Sequence, residues 1–275
     1  MVGPRAQGVA IVTGAAGGMG APCARQLAEA GWESLLLIDV SADRLEAVAG
    51  PLRSAGADVT MLAIDMTAPD FADRFVAALA GRPIGALIHT AGVSPTMCGA
   101  QRILEINLDA TVTLVDLIRD RMAPQSCAVL FSSNSASMPM PPDAAAAFNA
   151  PLPAKPSVDL LPLADHPHFA YPLSKIAVRA ISRREAHAFG KRGARICTVS
   201  PGLIDTPNMG RIEAEASQMA AAMAASAPFG RTGDPEELAA VAVFLCSPAA
   251  SFVTAVDWLV DGGQTATILA NFPGK

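Results

Sequence analysis

The chain has 275 residues, of which 51% are hydrophobic and 16% are charged, and its formal net charge is −5. A chain this apolar can bury a large core, which argues against disorder, and an acidic balance without a basic stripe argues against a nucleic-acid partner. The five cysteines have no close pairs, which is typical of free thiols in a reducing compartment. The N-terminal sequence MVGPRAQGVAIVTG shows no export signal, so we predict a cytoplasmic protein.

Short apolar runs alternate with segments of helical length along the whole chain. The runs predict seven strands, at 8–13, 34–39, 58–64, 84–90, 127–132, 195–200 and 257–260. The intervening segments predict helices at about 18–30, 41–55, 69–80, 100–122, 171–190 and 235–246. This alternation predicts an α/β fold, a doubly wound parallel sheet of seven strands with helices on both faces. We expect residues 1–275 to form a single Rossmann domain.

Two segments depart from the alternation, and a third is apolar enough to be compared with a membrane span. Residues 134–170 contain eight prolines and only four charged residues, so we predict a long insertion there instead of a short βα turn. Residues 202–229 are rich in Met and Ala, which predicts a flexible flap over the substrate. The charge-free stretch 238–256 is interrupted by Pro248, so we interpret it as a helix followed by a buried strand and expect no membrane span.

A glycine-rich segment, TGAAGGMG at 13–20, follows the first predicted strand and opens the first predicted helix. Its glycines let the main chain approach a pyrophosphate closely, while the helix N-terminus supplies N–H donors. Asp39 ends the second predicted strand, where a carboxylate can accept both ribose hydroxyls of NAD and repel the 2′-phosphate of NADP. Two alternatives stay open: Asp39 or Ser41 caps the next helix, and Arg44 weakens the preference for NAD.

The chain has one tyrosine, Tyr171, and Lys175 follows it four positions later. On a helix this spacing places the two side chains on one face. An amphipathic helix is the ordinary explanation of such a pair, so its meaning depends on the other motifs of the chain.

With these motifs placed, the chain resembles the short-chain dehydrogenase/reductase superfamily, in its short single-domain branch, over nearly its whole length. The segments that carry the resemblance are TGAAGGMG at 13–20, DM at 65–66, HTAG at 89–92, EINLDA at 105–110, FSSNSAS at 131–137, YPLSK at 171–175, SPGLIDT at 200–206 and VDGG at 260–263. Each motif alone is weak evidence, but their common order is highly specific.

The resemblance implies an activity, a cofactor and a set of site residues. The implied enzyme uses NAD to interconvert a secondary alcohol and a ketone, on an apolar small-molecule substrate such as a cyclic or steroid-like one. The implied catalytic residues are Asn107, Ser133, Tyr171 and Lys175. The implied cofactor-binding residues are Gly14, Gly18, Met19, Gly20, Asp39, Asp65, Met66, Ala91, Gly92, Tyr171, Lys175, Pro201, Gly202, Ile204 and Thr206. The resemblance also implies a homodimer or homotetramer, with no metal.

The chain departs from the family pattern in two places. His89 and Thr90 stand where the family has two asparagines. Ser133 and Tyr171 are 38 residues apart, whereas about a dozen is usual in the family, and the extra residues fall in the proline-rich insertion. Bacterial hydroxysteroid dehydrogenase/carbonyl reductases are similar in having an enlarged connection here. Either Ser132 or Ser133 fits the catalytic position, and the register of the motif favours Ser133.

The implied reaction requires a group that exchanges a proton with the substrate oxygen. A free tyrosine has a pKa near 10 and is a poor base at neutral pH. An ammonium group about 4 Å away lowers the pKa of a phenol by roughly three units at an effective dielectric near 20. Burial opposes this effect, so we expect the positive charge of the oxidised nicotinamide to contribute. On this interpretation Tyr171 exchanges the proton and Lys175 makes the exchange possible.

Other functions share parts of this pattern. A 3-ketoacyl-type reductase using NADPH has the same fold, but Asp39 and the acidic balance count against it. A non-catalytic NAD-sensing scaffold would be expected to lose Tyr171 or Lys175, and this chain has both. His166 and His168 lie far from any acidic cluster, so we predict an exposed loop there instead of a metal site.

Overall fold

The computed structural model describes residues 7–137, 148, 152–206, 221–222, 224–225 and 227–271. The strands of the described residues are β1 (Val9–Thr13), β2 (Ser34–Asp39), β3 (Asp58–Ala63), β4 (Ile84–His89), β5 (Met122–Phe131), β6 (Arg195–Pro201) and β7 (Asp257–Val260). They form one parallel sheet in the order β3-β2-β1-β4-β5-β6-β7. The chain order reverses between β1 and β4, where doubly wound sheets bind ligands at the carboxyl ends of the strands. The predicted fold class is confirmed.

Helices cover both faces of this sheet. They are α1 (Gly20–Glu29), α2 (Ala42–Ser54), α3 (Phe71–Leu79), α4 (Ala100–Leu104), α5 (Ala110–Arg119), α6 (Pro156–Leu160), α7 (Pro167–Lys191), α8 (Pro235–Cys246) and α9 (Gln264–Asn271). Buried side chains of α3, α4, α5 and α7 fill the core on one face, and those of α1, α2 and α8 fill the core on the other. Every residue of β1 and β4 is buried, as expected of strands covered on both sides.

The stretch 238–256 begins as a helix, as predicted, but the strand that follows is β7, which starts at Asp257 and is only partly buried, so the prediction of a buried strand is wrong. α8 begins with a capping box between Asp234 and Glu237, has Pro235 in its first turn, and ends at Cys246 before the next proline. None of the helices in the described part of the chain is both long enough and apolar enough to span a bilayer.

Two helices differ from their predicted bounds. The predicted helix 100–122 is divided into α4 and α5 by a π turn, Glu105–Asp109. α7 begins at Pro167, four residues before its predicted start, because His166 caps it by accepting a hydrogen bond from the His168 main-chain nitrogen at 3.3 Å. Both histidines are exposed, but the segment is the start of a helix, so the prediction of a loop is wrong.

The described part of the insertion contains a 3-10 turn at Asn134–Ser137 and the short helix α6. Ser157 in α6 donates from its main-chain nitrogen (2.9 Å) and its hydroxyl (2.5 Å) to the Asp109 carboxylate, which fixes α6 against the π turn. In the predicted flap, residues 207–220, 223 and 226 lie outside the described residues.

Candidate active site

The glycine-rich turn between β1 and α1 is packed too tightly to accept side chains. Gly14 has a φ of +64°, and a Cβ there would lie 2.8 Å from the Ala91 nitrogen. A Cβ on Gly20, the first residue of α1, would lie 2.1 Å from the Gly14 carbonyl oxygen. Gly18 and Met19 complete the turn before α1. The main chain therefore forms a cradle at a helix N-terminus, a shape and potential that suit a pyrophosphate.

Asp39 lies at the end of β2 with its carboxylate turned toward this cradle. It is 8% exposed, and one oxygen accepts a hydrogen bond from the Ala16 main-chain nitrogen at 3.0 Å. The other oxygen lies 3.1 Å from the Arg44 guanidinium. Ser41, not Asp39, caps α2, by accepting from the Arg44 main-chain nitrogen at 3.4 Å. The position of Asp39 thus suits the ribose next to the pyrophosphate cradle.

Asp65 and Met66 follow β3, at the outer side of the same edge. One oxygen of Asp65 accepts from the main-chain nitrogen and the hydroxyl of Thr67, both at 2.8 Å, and the other is paired with Arg102. Partial burial would raise the pKa of Asp65, but the Thr67 hydrogen bonds and the Arg102 charge outweigh it and lower that pKa. Met66 packs partly buried against the core. A charged and fixed carboxylate therefore borders the expected adenine position.

The segment after β4 connects the glycine cradle with the residues that are predicted to be catalytic. A Cβ on Gly92 would lie 3.1 Å from Asn107 Oδ1 and 3.3 Å from Lys175 Nζ. The buried Asn107 amide accepts from the Val93 main-chain nitrogen at 2.8 Å and donates to the Val93 carbonyl oxygen at 3.0 Å. Asn107 sits in the π turn, a distortion that is common at functional sites. The amide thereby holds this segment beside the lysine.

Lys175 is buried on α7, where its ammonium nitrogen donates to the Phe131 carbonyl oxygen at 3.0 Å. The same nitrogen lies 5.8 Å from the centroid of the Tyr171 ring. Burial disfavours the charged form and lowers the pKa of Lys175 to about 8. At neutral pH the site therefore holds a buried cation next to the phenol ring.

Ser133 is the serine that meets Tyr171. Ser132 donates instead to the Lys175 carbonyl oxygen at 2.8 Å, whereas the Ser133 side chain lies close enough to the Tyr171 side chain to lower the pKa of the phenol. The Ser133 oxygen also accepts from the Ser135 main-chain nitrogen (3.1 Å) and the Ser135 hydroxyl (3.0 Å). A hydroxyl has one proton, and these two contacts leave that of Ser133 available to donate. The structure thus distinguishes the two serines that the sequence left open.

The pKa of Tyr171 differs from the expectation for a phenol beside an ammonium. Burial raises this pKa, and the hydrogen bond from Ser133 lowers it by less. The predicted lowering of this pKa by Lys175 is not found in the chain alone, where the ammonium is hydrogen-bonded to Phe131. A further positive charge is needed to bring the phenol toward neutral titration, as the sequence argument required.

Four of the expected cofactor residues lie at the carboxyl end of β6. Pro201 ends the strand, and a Cβ on Gly202 would lie 2.7 Å from the Asp261 main chain. Ile204 is buried, and Thr206 is the last described residue before the flap. This edge adjoins β5 in the sheet, so the segment faces the same cleft as the serine turn.

Sequence reasoning missed several residues that hold the site together. Besides Thr67, Arg102 and Ser135, they include Arg179, whose guanidinium lies 3.3 Å from the Asp257 carboxylate and donates to the Ser137 hydroxyl at 3.0 Å. Arg179 follows Lys175 by one helical turn, a spacing that could have placed it on the same face. The remaining contacts cross between distant segments and leave no local signal.

The two positions that depart from the family pattern have polar partners. The Thr90 hydroxyl donates to the Thr13 carbonyl oxygen at 2.8 Å. His89 is 2% exposed, and its ring contacts the hydroxyls of Thr13 and Thr111. Burial, and secondarily the charge of Lys175, lowers the pKa of His89 to about 3, so the ring is neutral.

The fold and the site together define a class of protein. A doubly wound sheet carries a glycine cradle and a buried acid at its switch point, and a Ser-Tyr-Lys group lies at the same edge. Side chains at Gly14 and Gly20 would overlap the main chain around the turn, and a side chain at Gly92 would crowd Asn107 and Lys175. These features define a dinucleotide-binding oxidoreductase.

Comparison with known proteins identifies the family. A model of the short chain dehydrogenase family matches residues 8–148, and a model described as Enoyl-(Acyl carrier protein) reductase matches residues 163–265. The chain belongs to the short-chain dehydrogenase/reductase superfamily, as the motifs predicted. It is therefore an oxidoreductase that interconverts alcohols and ketones with a nicotinamide cofactor.

Several relatives match the chain over nearly its full length. A cis-4-hydroxycyclohexanecarboxylate dehydrogenase of Sinomonas cyclohexanicum is 31% identical, over 95% of this chain and 98% of the relative. A D-threitol dehydrogenase of Mycolicibacterium smegmatis is 32% identical, over 94% of this chain and 92% of the relative. The crystal structure of a 3-alpha-hydroxysteroid dehydrogenase from Pseudomonas sp. B-0831 complexed with NADH has a TM-score of 0.77 at 28% identity, covering 95% of this chain and 98% of that one.

Proposed function

We propose that this protein is an NAD-dependent dehydrogenase that interconverts a secondary alcohol and a ketone, with Tyr171 as the acid–base group. The observation that carries the proposal is the grouping of Ser133, Tyr171 and Lys175 beside Gly92 at the carboxyl edge of the sheet. When bound, the cofactor supplies hydride exchange with the substrate carbon. The residues of the chain then have to move the proton and orient the oxygen.

Each catalytic residue has a distinct role in this proposal. Tyr171 exchanges the proton with the substrate oxygen. Ser133, whose oxygen already accepts two hydrogen bonds from Ser135, donates its proton to the substrate oxygen and orients it. The buried ammonium of Lys175 stabilises the phenolate and contacts the nicotinamide ribose. Asn107 holds the segment beside Lys175 and lies at the start of a proton path to solvent.

The residues of the cradle and its neighbours would hold NAD. Gly14, Gly18, Met19 and Gly20 would bind the pyrophosphate, and Asp39 would accept the ribose hydroxyls. The remaining contacts would come from Asp65, Met66, Ala91, Gly92, Pro201, Gly202, Ile204 and Thr206. A buried carboxylate at position 39 repels a 2′-phosphate, which favours NAD over NADP. Arg44 is the one feature that opposes this preference, because its side chain is 57% exposed and can turn toward a phosphate.

An apolar cyclic alcohol or ketone is the substrate class that we propose. The names of two relatives support it, since one acts on a hydroxylated cyclohexane ring and one on a hydroxysteroid. The proline-rich, weakly charged insertion at 134–170 also favours an apolar substrate. A short polyol is a second candidate, because a third relative is named for D-threitol.

Turnover assays test the proposal directly. The purified chain is mixed with NAD or NADP and with cyclohexanols, 3-hydroxysteroids, short polyols or 3-hydroxyacyl thioesters, and the absorbance of reduced cofactor is followed. We expect turnover with NAD and a cyclic alcohol. Tyr171→Phe should lower kcat by about a thousandfold or more while NAD still binds. The adjacent serines form a matched pair: Ser133→Ala should lower kcat about a hundredfold, and Ser132→Ala only a few-fold.

Three outcomes would contradict the proposal. Full activity of Tyr171→Phe would refute the acid–base assignment. Activity confined to NADPH and acyl thioesters would identify a 3-ketoacyl-type reductase. Tight NAD binding without turnover on any substrate would identify an NAD-sensing scaffold. Asp39→Ser is expected to raise activity with NADP relative to NAD, and an unchanged ratio would refute the role of Asp39 in cofactor choice.

We further propose that the chain forms a homodimer or a homotetramer. In the family, helices that correspond to α4–α5 and α7 commonly form the subunit contacts. In this chain α6 of the insertion is fixed to the π turn through Ser157 and Asp109, so part of that helical face is covered. Light scattering on the purified chain tests the proposal, and a monomer at micromolar concentration would refute it.

A further inference from the structure

A chain of buried hydrogen bonds runs from the cofactor cradle to the π turn. The Thr13 hydroxyl lies 2.6 Å from Nδ1 of His89, and Nε2 of His89 lies 2.8 Å from the Thr111 hydroxyl. The Thr111 hydroxyl donates to the main-chain oxygen of Asn107 at 2.8 Å. All four side chains are at most 2% exposed, so water does not compete for these contacts. None of these links has a role in the reaction described above.

The direction of donation along this chain follows from elementary valence. A carbonyl oxygen only accepts, so the single proton of the Thr111 hydroxyl goes to Asn107. Thr111 must then accept from His89, which places the ring proton on Nε2. In a neutral ring Nδ1 is then an acceptor, so Thr13 donates to it. One tautomer of His89 therefore satisfies every group.

The far end of the chain lies at the catalytic lysine. The oxygen that Thr111 engages belongs to Asn107, whose amide touches Gly92 from the same side as Lys175 Nζ. The Asn107 oxygen belongs to the π turn Glu105–Asp109, a local distortion between α4 and α5. The Thr111 hydroxyl, as a fixed donor to this oxygen, therefore helps to keep the turn in the conformation that places the Asn107 amide beside Gly92 and Lys175.

We propose that His89 is a positioning residue: through Thr111 it fixes the main-chain oxygen of Asn107, and with it the π turn that holds Asn107 beside Lys175. The kinetic part of this inference rests on the proposed function, because it requires that Lys175 supports proton exchange at Tyr171. The structural part is the Nε2–H tautomer of His89, which is independent of turnover.

Kinetic variants separate the two ends of the His89 ring. Glutamine places an N–H near Nε2, and asparagine places its oxygen near Nδ1. His89→Gln should therefore retain kcat within about threefold, whereas His89→Asn and the isosteric Thr111→Val should each lower kcat about tenfold or more with little change in KM for NAD. The double variant His89→Asn/Thr111→Val should be no slower than the slower single variant, because both substitutions break the same hydrogen bond between His89 and Thr111. Ser126→Ala, which removes a buried hydroxyl bonded to Ala123, is the control for lost stability.

Nuclear magnetic resonance of the full chain with ¹⁵N-labelled histidine tests the tautomer without any substrate. The chain has four histidines, and the His89 signals are those that His89→Asn removes. We expect a neutral Nε2–H ring that does not titrate from pH 5 to pH 9, and an altered spectrum in Thr111→Val.

An Nδ1–H or charged ring at pH 7 would overturn the proposal, as would additive losses in the double variant or losses that follow melting temperature as Ser126→Ala does. A chain with the expected tautomer and no turnover would refute the proposed function alone. Turnover with the other tautomer would refute this inference alone.

Discussion

The cofactor half and the catalytic half of the cleft are built in different ways. Around β1, α1 and β2 the fit depends on atoms that are absent, since side chains at Gly14 or Gly20 would overlap the main chain. Around β5 and α7 it depends on polar atoms that are present, in the contacts of Ser133, Lys175 and Arg179. The cofactor half should therefore be damaged by substitutions that add side-chain atoms, and the catalytic half by substitutions that remove polar atoms.

The two halves also differ in electrostatic cost. The glycine cradle carries no charged side chain and relies on main-chain dipoles, and the buried carboxylate beside it, Asp39, accepts from the Ala16 main-chain nitrogen and is paired with Arg44. The catalytic half buries Lys175 and partly buries the Arg179–Asp257 pair, and a buried charge destabilises a fold unless it is well paired. In the catalytic half a substitution should therefore be able to lower activity without lowering stability. In the cofactor half a substitution that lowers NAD binding should also lower stability.

The largest expected effect is that of Gly20→Ala. The new Cβ would lie 2.1 Å from the Gly14 carbonyl oxygen, so the main chain of the cradle must move. We expect NAD affinity to fall about a hundredfold or more and the free energy of unfolding to fall by about 2–3 kcal/mol. Calorimetric titration with NAD and urea unfolding measure the two quantities.

A glycine outside the cradle provides the control. A Cβ on Gly50, inside α2, would meet only a side-chain oxygen at 3.7 Å. Gly50→Ala should leave NAD affinity unchanged and raise stability by about 0.5–1 kcal/mol. If both variants bind NAD like the wild type, the cofactor half does not depend on close main-chain packing.

The partly buried ion pair of the catalytic half, Arg179–Asp257, gives the next largest effect. Arg179→Met removes the partner of Asp257, whose carboxylate is then held only by the hydroxyls of Thr198 and Ser200. We expect a loss of about 2–3 kcal/mol in the free energy of unfolding. Arg74→Met, which breaks an exposed pair with Asp70, should cost less than about 0.5 kcal/mol. Equal losses in urea unfolding would show that the partly buried pair has no special weight.

Lys175→Met should have a smaller effect of opposite sign on stability, while abolishing activity. Burial lowers the pKa of Lys175 from 10.5 to about 8, so the unfolded chain binds this proton more tightly than the folded chain. The resulting destabilisation is complete below pH 8 and disappears as pH rises to 10.5. Allowing for the lost hydrogen bond to Phe131, we expect a gain of roughly 1–2 kcal/mol at pH 7.

The pH dependence is the decisive part of that experiment. Urea unfolding of the wild type and Lys175→Met at pH 7 and pH 10 should show an advantage of the variant that shrinks at the higher pH. Lys191→Met, at an exposed position on the same helix, should show no such trend. A variant that is less stable than the wild type at pH 7 would mean that the ammonium stabilises the fold.

The same division explains how much the sequence could predict. The strands were predicted to within a residue or two, except for the start of β5, because fully buried parallel strands are continuous apolar runs. β5 starts at Met122, five residues early, since a register shift lets it pair with Ile84 before the apolar run begins. The cofactor cradle was readable because a glycine requirement leaves a direct trace in the sequence.

The surroundings of the catalytic residues left weaker traces. The choice of Ser133 over Ser132 depends on which way a turn directs two adjacent hydroxyls, which only the packing of α7 decides. α6 is five residues long, too short for a periodic pattern, and is fixed by Asp109 from a distant helix. The hydrogen-bond chain through His89 joins residues far apart in sequence, so no residue spacing predicts it.

The smallest expected effect is that of Arg44, whose charge lies beside the cradle but is exposed. Arg44→Met removes a guanidinium that lies 3.1 Å from Asp39 but is 57% exposed, so water screens the pair. Stability should change by less than about 0.5 kcal/mol in urea unfolding. Activity with NADP, in contrast, should fall by up to about tenfold if Arg44 contacts a 2′-phosphate, with KM for NAD nearly unchanged. A large loss of stability would mean that Arg44 is needed to hold Asp39 in place, and the cofactor half would then depend on a side-chain contact as the catalytic half does.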